Sequence, residues 1–229
     1  FLRHRKTVHL RPQSPTQTVL DYLRLEERST GTKEGCNEGD CGACTVAIGR
    51  VRNGKLTYEP ANACILLVGQ LHGCELITVD DLAQDNVLHP VQWAMVKHHA
   101  SQCGFCTPGF VMSLFTLYHS GIRPSRQNIV DHIAGNLCRC TGYRPIVDAA
   151  LEACTGTPLD HWAQNESATR EALQAINLSE DIMIPMQDGF LAIPASAASL
   201  TKLSEQHIDA TIVSGATDVG LWVTKQLRV

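Results

Sequence analysis

Eight of the ten cysteines in this chain of 229 residues fall into two sets of four, and each set has the spacing of a metal-binding site. The first set reads C-x4-C-x2-C, with a fourth cysteine after nineteen further residues. Its members are Cys36, Cys41, Cys44 and Cys64. The second set reads C-x2-C and, after thirty-one residues, C-x-C. Its members are Cys103, Cys106, Cys138 and Cys140. Each set must bring distant segments together, so the fold has to be built around two centres.

The first spacing is that of the plant-type ferredoxins and predicts a 2Fe-2S cluster. The second is less generic, because Arg139 must turn so that both neighbouring thiolates face one cluster. A structural zinc site is the alternative for the second set, and a disulfide framework is the alternative for the first. Cys74 is the rival of Cys64 as fourth ligand, whereas Cys154 continues an apolar helical stripe and is predicted to be a core residue.

The rest of the composition is that of ordinary globular material, with 44% apolar residues and a net charge of −4. This balance does not suggest nucleic acid as a partner. No run of about 18 apolar residues predicts a membrane span, and no basic and apolar leader predicts secretion. We therefore expect a cytoplasmic protein, in which thiols more often ligate metal than form disulfides. The missing initiator Met and the end at Val229 lead us to expect a fragment at both ends.

Residues 1–82 are predicted to form a small mixed domain. Their apolar pattern predicts a strand through Val8 and Leu10, a helix over residues 19–23 and a hairpin that turns at Asn53-Gly54. A sheet with one packed helix follows from these elements.

The loop that carries the first three cysteines is rich in glycine. Gly35, Gly39 and Gly42 can take up positive φ and aim backbone N–H groups at an anionic cluster. Glu38 and Asp40 in the same loop would disfavour an added electron.

From residue 85 to 155 the apolar period becomes helical and predicts four short helices in a bundle. The four stripes are Val91, Ala94 and Met95; Val111, Leu114, Phe115 and Tyr118; Ile129, Ile133 and Leu137; and Val147, Ala150 and Leu151. Thr107 is predicted to cap the second helix, with Pro108 at its first position. Both halves of the second cysteine set then lie at helix starts, where N–H donors suit thiolates.

Residues 156–183 are predicted to be a linker with at most one short helix, near residues 171–176. The apolar segment 210–213 predicts a strand that runs into small residues, Ser214 to Asp218, which would let a backbone approach a pyrophosphate closely. All ten histidines are interpreted as solvated or packed, since the adjacent pair His98-His99 would point about 100° apart on a helix.

Several motifs together are similar to the iron-sulfur module of the molybdenum hydroxylases, the xanthine dehydrogenase and aldehyde oxidase family. These motifs are Thr32-Lys33-Glu34-Gly35-Cys36, Gly39-Asp40-Cys41-Gly42-Ala43-Cys44, Asn62-Ala63-Cys64, Gln102-Cys103-Gly104-Phe105-Cys106-Thr107-Pro108-Gly109 and Asn136-Leu137-Cys138-Arg139-Cys140-Thr141-Gly142-Tyr143. The resemblance covers nearly all of residues 1–155. The order of segments is similar to that of the iron-sulfur and FAD small subunit of the bacterial xanthine dehydrogenases.

The resemblance implies an α+β chain with four parts. Residues 1–82 would be a β-grasp plant-type 2Fe-2S ferredoxin domain, 85–155 a four-helix-bundle 2Fe-2S domain, 156–183 a linker, and 184–229 the truncated start of an α+β FAD-binding domain. The flavin pyrophosphate loop would comprise Ile212, Val213, Ser214, Gly215, Ala216, Thr217, Asp218 and Val219.

The function implied is electron transfer within a hetero-oligomer. Electrons from a molybdopterin centre on a large partner subunit would pass through the two clusters to FAD and then NAD, during hydroxylation of a purine. An aldehyde or another N-heterocycle is the alternative substrate. Gln102 matches a glutamine near the pterin and Cys140 the ligand closest to it, and no catalytic residue is expected in this chain. We expect the fragment to bind iron but to hold FAD poorly, because residues 184–229 are too few for a domain.

Overall fold

The computed structural model of the chain describes residues 1–10, 14–176, 178–186 and 189–227. Its first part is a five-stranded sheet. The strands are β1 (Leu2–Arg3), β2 (Lys6–Thr7), β3 (Thr45–Arg52), β4 (Lys55–Asn62) and β5 (Glu75–Ile77). Their order is β2-β1-β5-β3-β4, with β1 and β5 parallel and the other neighbours antiparallel. This mixed sheet agrees with the predicted β-grasp.

The first helix and the hairpin confirm the sequence pattern, but the first strand does not. Helix α1 (Val19–Asp21) continues as a wider π-helical turn over Tyr22–Glu26. Asn53 and Gly54 both have positive φ, 52° and 74°, as a two-residue hairpin turn requires. The predicted strand through Val8 and Leu10 is wrong, because the chain has already turned back at residues 4 and 5, where φ is positive.

Four helices form the second part. They are α2 (Pro90–Lys97), α3 (Thr107–His119), α4 (Arg126–His132) and α5 (Arg144–Ala153). Helix α3 is buried on all sides from Gly109 to Tyr118, so it is the centre of the bundle. The third predicted stripe fails at Leu137, which lies beyond α4 and is 54% exposed. Cys106, and not Thr107, occupies the cap position of α3.

The sheet and the bundle share one interface. Side chains alternate along a strand, so Val46 and Ile48 of β3 pack with α1 whereas Ala47 packs with the bundle. Tyr58 of β4 contacts the Phe115 ring edge-on, with centroids 5.5 Å apart. Both faces of the sheet are therefore covered, and the two predicted domains form one packed body.

The linker contains more structure than its polar composition predicts. Two helices, α6 (His161–Gln164) and α7 (Glu166–Gln174), replace the single short helix expected near residues 171–176. Trp162 is 6% exposed and Leu173 is 2% exposed, and the Trp162 ring lies 5.0 Å from that of Phe115. Two apolar anchors thus fold the linker onto the body.

The last part contains a hairpin, β6 (Ile182–Met186) and β7 (Gly189–Ile193), followed by α8 (Ala197–Gln206) and α9 (Val219–Thr224). The strand predicted over 210–213 is wrong: these residues are not in a strand and Ile212 is 63% exposed. An isolated apolar segment without a strand beside it has no ladder to join. None of the helices in the described ranges has the length and apolar character needed to cross a membrane.

Candidate iron-sulfur sites

The structure brings the four cysteines of the first set together in one place. Cys36 and Cys41 lie half-buried in the loop between the first helical segment and β3, and their side chains are hydrogen-bonded to each other. Cys44 and Cys64, which flank the open end of the β3–β4 hairpin, are buried and make the same kind of pair. Cys74 is excluded from this group, since its thiol accepts a 3.1 Å hydrogen bond from Arg50 Nε.

Backbone N–H groups point at these sulfur atoms. The N–H of Cys36 donates to Cys41 Sγ and that of Cys41 donates to Cys36 Sγ, both at 3.3 Å. The N–H of Ala43 donates to Cys41 Sγ at 3.5 Å. The loop therefore offers the donors that an anionic centre needs.

Glycines in the loop serve two different purposes. Gly39 and Gly42 have positive φ, 85° and 68°, as predicted. Gly35 is not in that region of backbone conformation. It is required instead because a Cβ there would lie 2.7 Å from Cys41 Sγ. A larger residue at position 35 would displace a predicted ligand.

The four thiols have opposed ionisation tendencies. The hydrogen bond from Cys64 lowers the pKa of Cys44, and the same bond, followed by burial, raises the pKa of Cys64. Burial raises the pKa of Cys41. Burial would also raise the pKa of Cys36, but hydrogen bonds from backbone N–H groups, above all the N–H of Cys41, outweigh it and lower this pKa. Because neighbouring thiolates repel one another, all four can ionise together only with a cation among them.

The second set also converges, but at the surface. Cys103 and Cys140 are exposed and form one hydrogen-bonded pair, and the half-buried Cys106 and Cys138 form the other. Cys106 caps α3, which confirms that this half of the set lies at a helix start. The other half precedes α5, and the N–H of Cys138 donates to Tyr143 Oη at 2.9 Å.

In the second set as well, the pKa values of two paired thiols shift in opposite directions. Burial, with the hydrogen bond to Cys138, raises the pKa of Cys106 to about 12. For Cys138 burial acts in the same direction, but the hydroxyl and N–H of Thr141 outweigh it and lower the pKa. The Thr141 hydroxyl lies 3.1 Å from Cys138 Sγ and its N–H lies at 3.4 Å.

The two sites are joined by a short polar contact. Leu137, directly before the predicted ligand Cys138, donates its N–H to the carbonyl of Cys41 at 2.9 Å. The side chain of Asn136 donates at 3.0 Å to both the Gly42 carbonyl and Thr45 Oγ1. The hydroxyl of Ser113 donates to Asn136 Oδ1 at 2.6 Å. Asn136 is 4% exposed, so this contact is shielded from water.

Both cysteine sets fit a four-thiolate metal centre. Ligands of this type must be deprotonated, and the crowded thiols need positive charge before that can happen. A 2Fe-2S cluster and zinc both accept four thiolates, so the donor set alone does not choose between them. All ten cysteines are free of disulfides, against the disulfide alternative.

The surface around the second site carries exposed aromatic side chains. Phe105 is 49% exposed and Tyr143 is 36% exposed, and Gln102 beside them is exposed as well. Exposed aromatic side chains next to a metal site are typical of a contact surface. The role of Gln102 beside a pterin stays a prediction.

The predicted flavin loop lies against the first domain. The side chain of Gln70 donates to the carbonyl of Ser214, and Ala216 is 5% exposed with φ of 57°. A Cβ added at Gly215 would meet no described atom within 4 Å. The roles of residues 212–219 stay predictions.

One polar group was missed in the sequence because its members are far apart. His89 Nε2 and His119 Nε2 both lie 2.7 Å from Asp160 Oδ2, in a buried site. His89 Nδ1 accepts the N–H of Val91, so its Nε2 carries the proton and donates to the carboxylate. A metal ligand would need a free lone pair on Nε2, which this protonated nitrogen lacks. We therefore interpret the group as a hydrogen-bonded latch between the linker and the bundle, and not as a metal site.

Comparison with known proteins identifies both domains. Residues 2–69 match a 2Fe-2S iron-sulfur cluster binding domain, and residues 78–151 match a [2Fe-2S] binding domain. The chain is 47% identical to xanthine dehydrogenase of Blastobotrys adeninivorans over 63% of its length and 46% identical to human aldehyde oxidase over 61%. It is 46% identical to xanthine dehydrogenase of Drosophila subobscura over 97% of its length. It spans only 10%, 11% and 20% of these three proteins.

Solved structures agree with the sequence relatives. A chain of quinoline 2-oxidoreductase from Pseudomonas putida 86 is 35% identical, with a TM-score of 0.54, and the match covers 70% of this chain and 86% of that one. Aldehyde oxidoreductase from Desulfovibrio gigas is 28% identical with a TM-score of 0.55, over 78% of this chain and 22% of the other.

The chain therefore contains two 2Fe-2S binding domains. It belongs to the molybdenum hydroxylase family, which includes the xanthine dehydrogenases and aldehyde oxidases. This membership favours iron over zinc at the second site.

Proposed function

We propose that this chain is the electron-transfer part of a xanthine dehydrogenase. It would carry electrons from a molybdopterin centre on a partner subunit, through two 2Fe-2S clusters, to FAD and NAD. The observation that carries the proposal is the 2.9 Å hydrogen bond from the Leu137 N–H to the Cys41 carbonyl. It joins a ligand of one cluster to the neighbour of a ligand of the other.

The proposed ligands hold and insulate the two centres. Each cluster, when bound, takes up and releases one electron at a time. Cys41 and Cys138 offer a path of covalent bonds that is interrupted by a single hydrogen bond. The buried side chain of Asn136 excludes water from this contact. Gly42 and Gly109 permit this approach, since a Cβ on Gly109 would lie 2.0 Å from the Gly42 carbonyl oxygen.

The exposure of the two sites supports a direction of transfer. Cys103 and Cys140 are exposed beside Gln102, so the second site would face the molybdopterin subunit in a hetero-oligomer. The first site is covered by the C-terminal segment, where Lys225 Nζ donates to the Cys36 carbonyl at 2.7 Å. The predicted flavin loop is part of that segment, so we place FAD next to the first cluster.

The ligand sets are testable by matched cysteine variants. Cys64→Ser should remove the first cluster and leave the second, as measured by iron content and by the electron paramagnetic resonance (EPR) of the reduced protein. Cys74→Ser is the control, because that buried thiol contacts Arg50 instead, and it should retain both signals. Loss of a cluster in Cys74→Ser with retention in Cys64→Ser would contradict the assignment.

The substrate is proposed to be a purine, with an aldehyde or another N-heterocycle as the second candidate. Aldehyde oxidases match this chain as well as xanthine dehydrogenases do, at 46% and 47% identity, which keeps the second candidate in place. The native complex should be purified and assayed with xanthine and with aldehydes, using NAD as acceptor. NAD reduction with xanthine would support the proposal, and activity on aldehydes alone would replace it with the second candidate. We propose a cytoplasmic location, consistent with cysteines that are all free.

A further inference from the structure

Lys225 contacts the loop of the first cysteine set from the far end of the chain. Its Nζ donates a 2.7 Å hydrogen bond to the carbonyl of the ligand Cys36 and lies 3.5 Å from Glu38 Oε2. Both charged side chains are partly exposed, 44% for Lys225 and 40% for Glu38. A cation and an anion of this chain thus lie together beside the predicted cluster.

The helix that carries Lys225 is held in place by close packing. Gly220 of α9 lies so near Ile65 that a Cβ on this glycine would be 2.7 Å from the Ile65 Cβ. Ile65 directly follows the ligand Cys64 and also fills the space over Gly39, where a Cβ would lie 2.6 Å from Ile65 Cδ1. Helix α9 therefore rests on a side chain that is fixed to the site itself, and the position of Lys225 is tied to the cluster loop.

Charge at this position acts on the electron uptake of the site. A 2Fe-2S cluster with four thiolates carries a charge of about −2, which becomes about −3 on reduction. An ammonium group nearby favours the reduced form, and a carboxylate disfavours it. The hydrogen bond to the Cys36 carbonyl also keeps the ammonium group of Lys225 next to the backbone of a proposed ligand. Because both side chains are partly exposed, salt weakens their effects.

We propose that Lys225 raises the reduction potential of the first cluster, against the opposing effect of Glu38, so that this cluster draws electrons from the second. The role of Lys225 depends on the proposed presence of the clusters. Helix α9 is part of the same segment as the predicted flavin loop. Docking of that segment would therefore also set the reduction potential of the first cluster, which is the proposed electron donor to the flavin.

The test is an EPR-monitored redox titration of the full chain after cluster reconstitution. Lys225→Met should lower the midpoint potential of the first cluster and leave that of the second unchanged. Lys225→Arg keeps the charge and should stay near the parent value, while Glu38→Gln should shift the first potential upward. Both shifts should shrink in high salt.

A second variant separates the charge from the docking of α9. Gly220→Val should push α9 off Ile65 and lower the first potential in the same direction as Lys225→Met, although Lys225 itself is intact. An unchanged first potential in Lys225→Met, or equal shifts of both clusters, would overturn the role of Lys225. Reconstituted protein without two iron-sulfur signals would instead contradict the proposed function, so the two failures are distinguishable.

Discussion

The N–H of Leu137 donates a 2.9 Å hydrogen bond to the carbonyl oxygen of Cys41. Leu137 precedes a proposed ligand of the second cluster, and Cys41 is a proposed ligand of the first. The glycines beside this bond make the approach possible, and the predictions below begin with them.

Gly109→Ala should force the two cysteine loops apart. The new Cβ would lie 2.0 Å from the Gly42 carbonyl oxygen, which is backbone and cannot yield cheaply. We expect a loss of about 1 to 3 kcal/mol in unfolding free energy, as for other overpacked sites, with a lower melting temperature and less iron per chain. Gly135→Ala is the matched control, because its Cβ would meet nothing within 4 Å. Equal melting temperatures for the two variants would contradict the close approach.

Asn136→Ala should loosen the same junction without adding bulk. It removes two donated hydrogen bonds and one accepted one at a residue only 4% exposed. Leaving buried polar partners unsatisfied costs about 2 to 3 kcal/mol. Ser113→Ala removes only one of these bonds and should cost less. Denaturation midpoints of both variants measure the difference, and a larger effect for Ser113→Ala would refute this ordering.

Asp160→Ala should release the linker from the bundle. The Asp160 carboxylate accepts hydrogen bonds from two imidazoles and from the N–H of Ala163, so its removal should cost about 2 to 3 kcal/mol. Asp148→Ala, which breaks a surface ion pair with Arg126, should cost under about 1 kcal/mol. Melting temperature and the rate of proteolytic cleavage within residues 156–176 measure this effect, and equal behaviour of both variants would count against the latch.

The Asp160 latch also has a defined pH dependence. Burial would raise the pKa of Asp160, but the bonds from His119 and His89 outweigh it and hold this pKa well below its ordinary value. The stabilisation is therefore fully present above the ordinary pKa of about 4 and is lost only as the pH falls below it. Because the Asp160 carboxylate stays ionised between pH 6 and 8, its titration should not change the loss of unfolding free energy in Asp160→Ala over this range.

Glu75→Gln should stabilise the protein at alkaline pH. Burial raises the pKa of Glu75 from 4.5 to about 7, and its carboxylate accepts the Tyr58 hydroxyl at 3.3 Å. Between these pH values the folded chain holds a proton that the unfolded chain has lost, so unfolding free energy falls as pH rises.

Ionisation of the buried Glu75 lowers the unfolding free energy by roughly 3 kcal/mol above pH 7. The neutral amide of Glu75→Gln does not ionise and avoids this loss. The melting temperature of Glu75→Gln should thus exceed that of the parent at pH 8, with a smaller gain at pH 6. Glu59→Gln is the control, because the Glu59 side chain is exposed and pairs with Arg52 at the surface. A parent-like pH profile in Glu75→Gln would show that Glu75 does not titrate in this range.

Local patterns in the sequence were sufficient for much of the fold and for the sites. The hairpin at Asn53-Gly54 and the helices of the bundle follow from turn chemistry and apolar period, and the cysteine spacing predicts which thiols meet. The strand expected over 210–213 failed because a strand also needs a neighbour, which periodicity does not supply.

The remaining features depend on contacts between distant residues. Asp160 meets its two histidines across 71 and 41 residues, and Lys225 meets Cys36 across 189. The sharing of one sheet by both domains likewise follows from packing on two faces. Such contacts leave no mark in the local sequence of either partner.

The most direct test of the central claim is quantitative EPR of the chain after reduction with dithionite. We expect two unpaired spins per chain, in two distinct signals that broaden each other, because the ligand loops are in direct contact. A single spin per chain, two signals without mutual broadening, or a colourless protein that contains zinc would contradict a relay of two adjacent 2Fe-2S clusters.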